Sequence, residues 1–247
     1  MANRMARILF HSVGAAVMIY GYNGLWRIEG FDPWMGAQYG VLLLDSRLVS
    51  SMFIFVKGGH WQFLTIDGLF AAILVMISGL IVDLLSIGGA SSGVTPGVLG
   101  IKRFFLLIAT PVAITIASVY WPLVLFLPHL MLAPVGEPTS STAVPALFRI
   151  PLDVDIPLHG LPGPLLLLDF FLFEAKFSRK VMTQGAPLLA ASIGLTYSTW
   201  VEHCATKNGF FPYPFLTLSP FPVRVLIYTT CTVVSFFMLR AANGLHR

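Results

Sequence analysis

Residues 61–87 read WQFLTIDGLFAAILVMISGLIVDLLSI, and this stretch contains only two charged residues, Asp67 and Asp83. A helix that crosses the hydrocarbon core of a bilayer needs about 20 mostly apolar residues. The stretch is therefore predicted to be a membrane-spanning helix. This predicted span places the chain among the helical membrane proteins.

The composition of the whole chain indicates the same class. The chain has 247 residues, 56% hydrophobic and 11% charged, with a mean hydropathy of +0.82. Soluble domains carry about 25% charged residues, so this chain has too few charges to cover a water-exposed surface. The composition excludes a cytosolic enzyme, a disordered regulator and a disulfide-stapled secreted domain. The 15 Lys and Arg residues form no run longer than two, so no nucleic-acid partner is expected.

Six apolar stretches are long enough to cross a bilayer, and together they predict an all-α, polytopic membrane helix bundle that forms a single domain over residues 1–247. The predicted spans are 6–24, 61–87, 101–127, 158–177, 184–205 and 221–242. The stretch 33–57 is also apolar but contains Asp45 and Arg47. An interfacial or re-entrant segment is predicted there instead of a seventh span.

The distribution of Lys and Arg predicts the orientation, because short loops rich in these residues stay in the cytoplasm. With six helices, both termini are predicted to be cytoplasmic. The basic residues that fall on this side are Arg4, Arg7, Lys102, Arg103, Lys176, Arg179, Lys180, Arg240 and Arg247.

The predicted topology gathers polar side chains at the opposite, non-cytoplasmic side. Four of the six histidines lie near helix ends on this side: His60, His129, His159 and His203. Trp61 and Trp200 lie at the same level. Thr65 follows Trp61 by four residues, so it lies about 6 Å deeper along the helix. We therefore expect the chemistry of the protein at this face.

One stripe of the helix over 61–87 joins this face to a deeper acid. Its members recur at helical spacing: Thr65, Gly68, Ala72, Met76, Gly79 and Asp83. Small residues on such a stripe let a neighbouring helix or an acyl chain approach closely. Asp169 is predicted near the middle of the bilayer, where an ionisable group usually faces the bundle interior and has a partner.

Each of these residues also has a purely structural interpretation. A Thr in a membrane helix usually hydrogen-bonds to a carbonyl of the preceding turn. A His at a helix end is often an interfacial residue, and Trp side chains form belts at both membrane surfaces. Asp83 and Asp169 are also typical of residues that tie helices together. The residue types alone therefore do not identify an active site.

Residues 57–65 read KGGHWQFLT, which resembles the Gly-Gly-x-Trp-x-Phe-Leu-Thr segment of the androgen-induced gene 1 and androgen-dependent TFPI-regulating protein family. Asp83-Leu84 follows the Thr at the same spacing as in that family. His159 is followed by Pro164 and Asp169, as a family His is followed by a Pro and an acid. Further blocks that match are Trp200-Val201, His203 and Tyr213-Pro214-Phe215-Leu216. The likeness covers roughly residues 57–240.

The resemblance implies an integral membrane lipid hydrolase that cleaves fatty acid esters of hydroxy fatty acids with a catalytic Thr and a catalytic His, without a cofactor or a metal ion. Those roles fall on Thr65 and His159. Supporting or substrate-binding roles are expected for Trp61, Asp83, Asp169, Trp200 and His203, and an endoplasmic-reticulum location is expected. The chain departs from the family in two places. The family's His-Gly-x-His reads Asp155-Ile-Pro-Leu-His159 here, so only the second His is present, and Gly68 stands where the family has an Asp three residues after the Thr, with Asp67 as the nearby acid.

The sequence also suggests where acyl chains bind and which groups stabilise an oxyanion. Acyl chains are expected along the stripe from Gly68 to Gly79. The donors for an oxyanion are expected among free amides at the start of the helix near 158, or near Gly58 and Gly59.

Two other functions also fit the composition. A metal-dependent membrane hydrolase would use the four gathered histidines as ligands, although no two of them have the i, i+4 spacing of a helical ligand pair. A non-enzymatic lipid-binding membrane protein would use the same polar residues to line a cavity.

Overall fold

The computed structural model describes residues 2–25, 27, 57–87, 94–132, 134–135 and 146–246. Apart from Lys57, the predicted interfacial segment 33–57 lies outside these residues, so that prediction stays open.

The described residues form helices joined by short turns and one small strand pair. In chain order the elements are α1 (Ala2–Leu25), a 3-10 turn (Gly59–Gln62), α2 (Leu64–Ile87), α3 (Val94–Phe126), α4 (Pro128–Met131), β1 (Pro134–Val135), β2 (Ala146–Leu147), α5 (Leu152–Asp155), a π-helical turn (Ile156–Gly160), α6 (Pro162–Phe173), a second π-helical turn (Val181–Gly185), α7 (Ala186–Asn208), α8 (Pro214–Thr217) and α9 (Phe221–Leu245). Strands β1 and β2 pair antiparallel, with Pro134 opposite Leu147.

The predicted polytopic helical bundle is confirmed, and by length and apolarity alone the described helices give four or five candidate spans. Within the described residues, α1, α2, α3 and α9 are long and apolar enough to cross a membrane. Residues 152–173 make a fifth span if the two parts of this helix, bent by 43°, count as one. The bend lies at Pro162, which cannot donate a backbone hydrogen bond. Helix α7 is long enough, but its Ser, Thr and charged residues make it less apolar than the others.

Helix α7 nevertheless runs between the two ends of the bundle. At its carboxyl end, the Asn208 side chain hydrogen-bonds to the backbone of Lys57, and Glu202 pairs with Arg224 at the start of α9 at 2.6 Å. At the opposite end of α9, the Asn243 side chain accepts the backbone N–H of Phe177 at 2.8 Å. Since Phe177 precedes α7 in the chain, α7 and α9 run antiparallel through the bundle.

The helix ends sort into two groups, as the alternation in the sequence predicts. At one end, which we call the basic end, Arg4 bonds to the carbonyl of Ser86, Arg103 to Glu174, and Lys176 to the carbonyl of His246. The other end, the site end, gathers the start of α2, the end of α3 and the end of α7. The assignment of the basic end to the cytoplasm stays a prediction.

The stripe of small residues on α2 is filled by neighbouring helices. A Cβ at Gly79 would lie 2.5 Å from Nε2 of His11 on α1, and a Cβ at Gly68 would lie 2.8 Å from Val112 on α3. The predicted close approach of a neighbouring helix is therefore confirmed. The expectation that acyl chains lie along this stripe is contradicted at Gly79, where the ring of His11 occupies the space, whereas Gly68 also lines a cavity among α2, α3 and α7.

Candidate active site

Thr65 lies in the first turn of α2, directly after a sharp turn of the chain. Gly58 and Gly59 have φ of 89° and 46°, a region that glycine adopts without steric cost. A Cβ at Gly58 would lie 2.7 Å from Sγ of Cys204 on α7, so only glycine fits. Trp200 Nε1 donates to the carbonyl of Trp61 at 2.9 Å. These contacts with α7 fix where α2 begins, and therefore where Thr65 lies.

Two tyrosine hydroxyls lie beside the first amides of α2, which have no partner within their own helix. The Tyr197 hydroxyl lies beside the backbone of Leu64 and donates to the carbonyl of Gln62 at 3.2 Å. The Tyr213 phenol lies beside both the backbone and the hydroxyl of Thr65. Burial raises the pKa of Tyr213, so its phenol stays neutral and can hydrogen-bond at physiological pH.

His159 lies in the π-helical turn Ile156–Gly160, and π-helical turns are frequent at functional sites. Its Nδ1 is 2.6 Å from Oδ1 of Asp155, one turn earlier on the same helix. The ring stacks on Tyr120 with 3.6 Å between centroids and 9° between planes, and the Tyr120 hydroxyl lies close to Asp155 as well. Because a carboxylate only accepts, Nδ1 carries the proton of the neutral imidazole, and Nε2 of that tautomer has the lone pair.

Thr65 and His159 line the same cavity, which we call the histidine cavity, of about 80 Å³. The two residues come from distant parts of the chain and are 8% and 7% exposed. His60 also lines this cavity, and burial lowers the pKa of His60. The structure thus brings together the two residues on which the resemblance places catalysis.

A second cavity begins on the other side of Thr65. This bundle cavity, of about 140 Å³, lies among α2, α3, α7 and α9. Four residues line both cavities: Thr65, Tyr120, Met131 and Tyr213. The candidate nucleophile therefore stands at the junction of two separate spaces.

The predicted supporting residues at the site end lie on a different side of α2. Trp61 and Trp200 line a third cavity of about 410 Å³ together with Asp67. His203 is exposed beside Trp200, with 6.2 Å between ring centroids. These residues are placed near the start of α2, but among the described residues they do not line the histidine cavity.

The four histidines that the topology gathered do not form one cluster. His60 and His159 line the histidine cavity, whereas His129 and His203 are exposed. Within the parts of the chain that the structure describes, no three His, Cys, Asp or Glu side chains are grouped closely enough to hold a metal ion.

Asp83 and Asp169 lie in a buried ion network near the basic end. His11 bonds through Nδ1 to Asp83 at 2.7 Å and through Nε2 to Asp169 at 2.8 Å. Lys102 bonds to Asp169 and Glu174, and Arg7 to Asp83, each at 2.8 Å. Asp83 is about 27 Å from Thr65 along α2, at about 1.5 Å per residue. The network joins α1, α2, α3 and α6, so these acids hold helices together far from Thr65.

One set of predicted oxyanion donors is wrong. The helix that carries His159 begins at Leu152, so the amides near 158 lie inside it, and Leu161 N–H donates to the carbonyl of Ile156 at 2.9 Å. The other predicted donors, near Gly58 and Gly59, are not among the described residues that line the histidine cavity.

Three residues that contact the predicted site residues in the structure were not predicted from the sequence. Asp155 was noted as a departure from the family and given no role, although its i, i+4 spacing from His159 could have indicated the pair. His11 was not singled out, although a buried His in an apolar helix needs polar partners. Tyr120 gave no sequence signal, because its stacking on His159 depends on the packing of two helices.

The sequence profile of the FAR-17a/AIG1-like protein family matches residues 41–247. The chain belongs to the FAR-17a/AIG1-like family. Thr65, Asp155 and His159 of this FAR-17a/AIG1-like protein all lie inside the matched region.

Two curated relatives cover most of this FAR-17a/AIG1-like chain. It is 27% identical over 235 residues to a UPF0641 membrane protein of Schizosaccharomyces pombe, covering 95% of this chain and 87% of that protein. It is 26% identical over 185 residues to a UPF0641 membrane protein of Saccharomyces cerevisiae, covering 73% and 74%. No solved structure matches the chain. The relatives' names agree with an integral membrane protein.

Proposed function

We propose that the protein is an intramembrane ester hydrolase in which Thr65 is the nucleophile and His159 is the general base. The observation that carries this proposal is the convergence of Thr65 and His159 on one buried cavity, with Asp155 bonded to Nδ1 of His159. That hydrogen bond leaves Nε2 of His159 as the acceptor that a base requires.

The first step forms an acyl-enzyme. A threonine hydroxyl is a weak nucleophile until a base removes its proton. Nε2 of His159 takes the proton of the Thr65 hydroxyl as Oγ1 attacks the ester carbonyl. The bond from the carbonyl carbon to the alcohol oxygen then breaks, and His159 returns the proton to that oxygen.

The second step releases the fatty acid. His159 takes a proton from water, whose oxygen attacks the carbonyl carbon of the acyl-threonine. The bond to Oγ1 of Thr65 breaks, and the proton returns to Thr65. In both steps the imidazolium forms next to the Asp155 carboxylate, which favours its charge.

The neutral Tyr213 phenol supports both steps. It lies beside the Thr65 hydroxyl in the resting enzyme, and it can donate a hydrogen bond to the oxyanion.

The proposed substrate class rests on the apolar lining of the two cavities in a membrane protein and on the resemblance. Both cavities lie in a membrane protein and are lined mainly by apolar side chains, which suits an ester that arrives from the bilayer. The resemblance implies fatty acid esters of hydroxy fatty acids. The protein then acts on lipids in its own membrane, which we propose to be that of the endoplasmic reticulum.

The proposal is tested with purified protein in detergent, a fatty acid ester of a hydroxy fatty acid, and a fluorophosphonate probe. Thr65→Ala should lose hydrolysis and probe labelling with an unchanged melting temperature, because alanine is well tolerated in helices. Thr65→Ser should keep measurable activity, and peptide mapping should place the probe on residue 65. A Thr65→Ala variant that hydrolyses at the wild-type rate would show the proposal to be wrong. A chelator in parallel samples tests the metal-dependent alternative.

A further inference from the structure

We infer that the two cavities beside Thr65 receive different halves of the ester, with the acyl chain in the bundle cavity and the leaving hydroxy acid in the histidine cavity. This inference rests on the proposed hydrolysis. It assigns each half of the substrate to the cavity residues that select it.

The order of bond changes determines the assignment. Oγ1 of Thr65 forms a bond to the acyl carbon, and the bond from that carbon to the alcohol oxygen breaks. The proton for the alcohol oxygen comes from Nε2 of His159, so this oxygen must lie within hydrogen-bond reach of His159. Among the described residues, His159 lines the histidine cavity and not the bundle cavity. The acyl group stays on Thr65 and has the bundle cavity on its other side.

The wall of the bundle cavity fits a hydrocarbon chain. Its lining residues include no charged side chain among those described. Its hydroxyls are already paired within the protein: Thr115 with Ser235 at 2.6 Å, and Thr232 with the carbonyl of Tyr228 at 2.8 Å. A polar ligand would therefore find few open partners there, whereas an alkyl chain needs none.

The dimensions of the bundle cavity set an upper length for the acyl chain. Along α3 its lining runs from Leu107 to Tyr120, and along α9 from Ile227 to Leu239, which is about 18–20 Å of helix. An extended alkyl chain advances about 1.25 Å per carbon by tetrahedral geometry, so the space takes about 14–16 carbons. The far end meets Ala186 and Leu239, which are 2% and 4% exposed.

The histidine cavity is smaller, at about 80 Å³ against about 140 Å³, and lies at the site end. Leu132, Phe148, Ile150 and Pro212, all between the long helices in sequence, line it beside His159. A leaving hydroxy acid held here is close to the end of the bundle. After protonation it can depart while the acyl chain stays in the bundle cavity.

Ala190 offers a test of the assignment, because it lines the bundle cavity about 10 Å along α7 from Tyr197. Ala190→Phe should leave room for only about eight carbons. Two ester series are hydrolysed, one with acyl chains of increasing length on a fixed alcohol, and one with a fixed butyryl group on alcohols of increasing length. Leu195→Phe is the matched control, because Leu195 is on the same helix and 70% exposed.

Ala190→Phe should lower kcat/KM at least about tenfold for hexadecanoyl esters, while butyryl esters stay within about twofold of wild type whatever their alcohol. Leu195→Phe should change neither series. An equal loss at all acyl lengths, or a loss that follows alcohol length, would overturn the assignment. Absence of hydrolysis by the wild-type protein would instead count against the proposed function, so the two failures are distinguishable.

A labelling experiment on the wild-type protein avoids any folding defect of the variant. A long-chain alkyl fluorophosphonate with a diazirine at the chain end is attached to Thr65, where its alkyl chain takes the place of the acyl chain. After irradiation, crosslinks should map near Leu107, Ala186 or Leu239. Crosslinks to Phe148, Ile150 or Pro212 would place the acyl chain in the histidine cavity and reject the assignment.

Discussion

The carboxylate of Asp155 lies 2.6 Å from Nδ1 of His159, one turn away on the same helix. This hydrogen bond fixes the ring and its tautomer and leaves Nε2 free to accept a proton. Removal of an equivalent carboxylate in Ser-His-Asp hydrolases lowers kcat by about 10⁴-fold because the histidine takes the wrong tautomer. We expect Asp155→Asn to lower kcat by about 10²- to 10⁴-fold with a small change in KM.

The measurement is steady-state hydrolysis by wild type, Asp155→Asn and Asp155→Glu. The asparagine keeps the shape of the side chain but can donate to Nδ1. The ring proton is then on Nε2, which can no longer accept the proton of Thr65. The glutamate keeps the charge and should restore part of the rate. If Asp155→Asn retains the wild-type kcat, Asp155 does not position His159 in the reaction.

Tyr213 should affect the reactivity of Thr65. Its phenol lies beside the Thr65 hydroxyl and backbone, and its raised pKa keeps it protonated. Tyr213→Phe removes the hydroxyl and keeps the ring, so we expect kcat to fall about tenfold, the size of one lost hydrogen bond. The rate of fluorophosphonate labelling at Thr65 should fall in parallel. A change in melting temperature without a change in labelling rate would assign Tyr213 a structural role only.

The ion network near the basic end should determine stability and not catalysis. Lys102 is 1% exposed and pairs with Asp169 and Glu174. Lys102→Met leaves those acids short of a cation, and loss of one partner in a buried pair costs about 3–5 kcal/mol. We expect a marked fall in melting temperature, with kcat/KM per folded molecule unchanged.

Lys180→Met is the matched control, because Lys180 is exposed at the same end of the bundle and its loss should leave the melting temperature unchanged. A Lys102→Met protein that melts normally but loses turnover would connect the network to the active site.

The sequence predicted the helices and their alternation well, because both depend on local features. An apolar run such as 61–87 has the length of the bilayer whatever surrounds it, and the basic residues mark one end of each span. The small residues Gly68 and Gly79 predicted close helix contacts because helical periodicity puts them on one face.

Which side chains meet at the site could not be predicted in the same way. Depth along a helix follows from residue number, but rotation about the helix axis follows from packing. His129 and His203 were placed at the correct end, yet both are exposed, while His60 turns into the cavity of His159. The stacking of Tyr120 on His159 likewise exists only once α3 has packed against the helix that carries His159. The two cavities beside Thr65 form only when α2, α3 and α7 also pack together.

The number of spans among the described helices depends on whether α7 crosses the bilayer. This helix has the lowest apolarity of the six predicted spans, yet it runs from the basic end to the site end. Two of its hydroxyls are satisfied within the helix: Ser198 and Thr199 both donate to the carbonyl of Leu195, at 3.1 and 2.7 Å. Glu202 is paired with Arg224. Since these polar groups are satisfied inside the protein, α7 can cross the bilayer, and we expect that it does.

Single cysteines at exposed positions on either side of α7, Arg179→Cys and Lys207→Cys, are introduced after Cys204 and Cys231 have been replaced by alanine. An impermeant maleimide is then applied to sealed microsomes, with and without permeabilisation. Residue 179 should react from the cytoplasmic side and residue 207 only after permeabilisation, because the basic end is predicted to face the cytoplasm. The opposite pattern would turn Thr65 and His159 toward the cytoplasm. Reaction of both residues from one side would mean that α7 packs along the bundle without crossing the membrane, and the described helices would then give at most five spans.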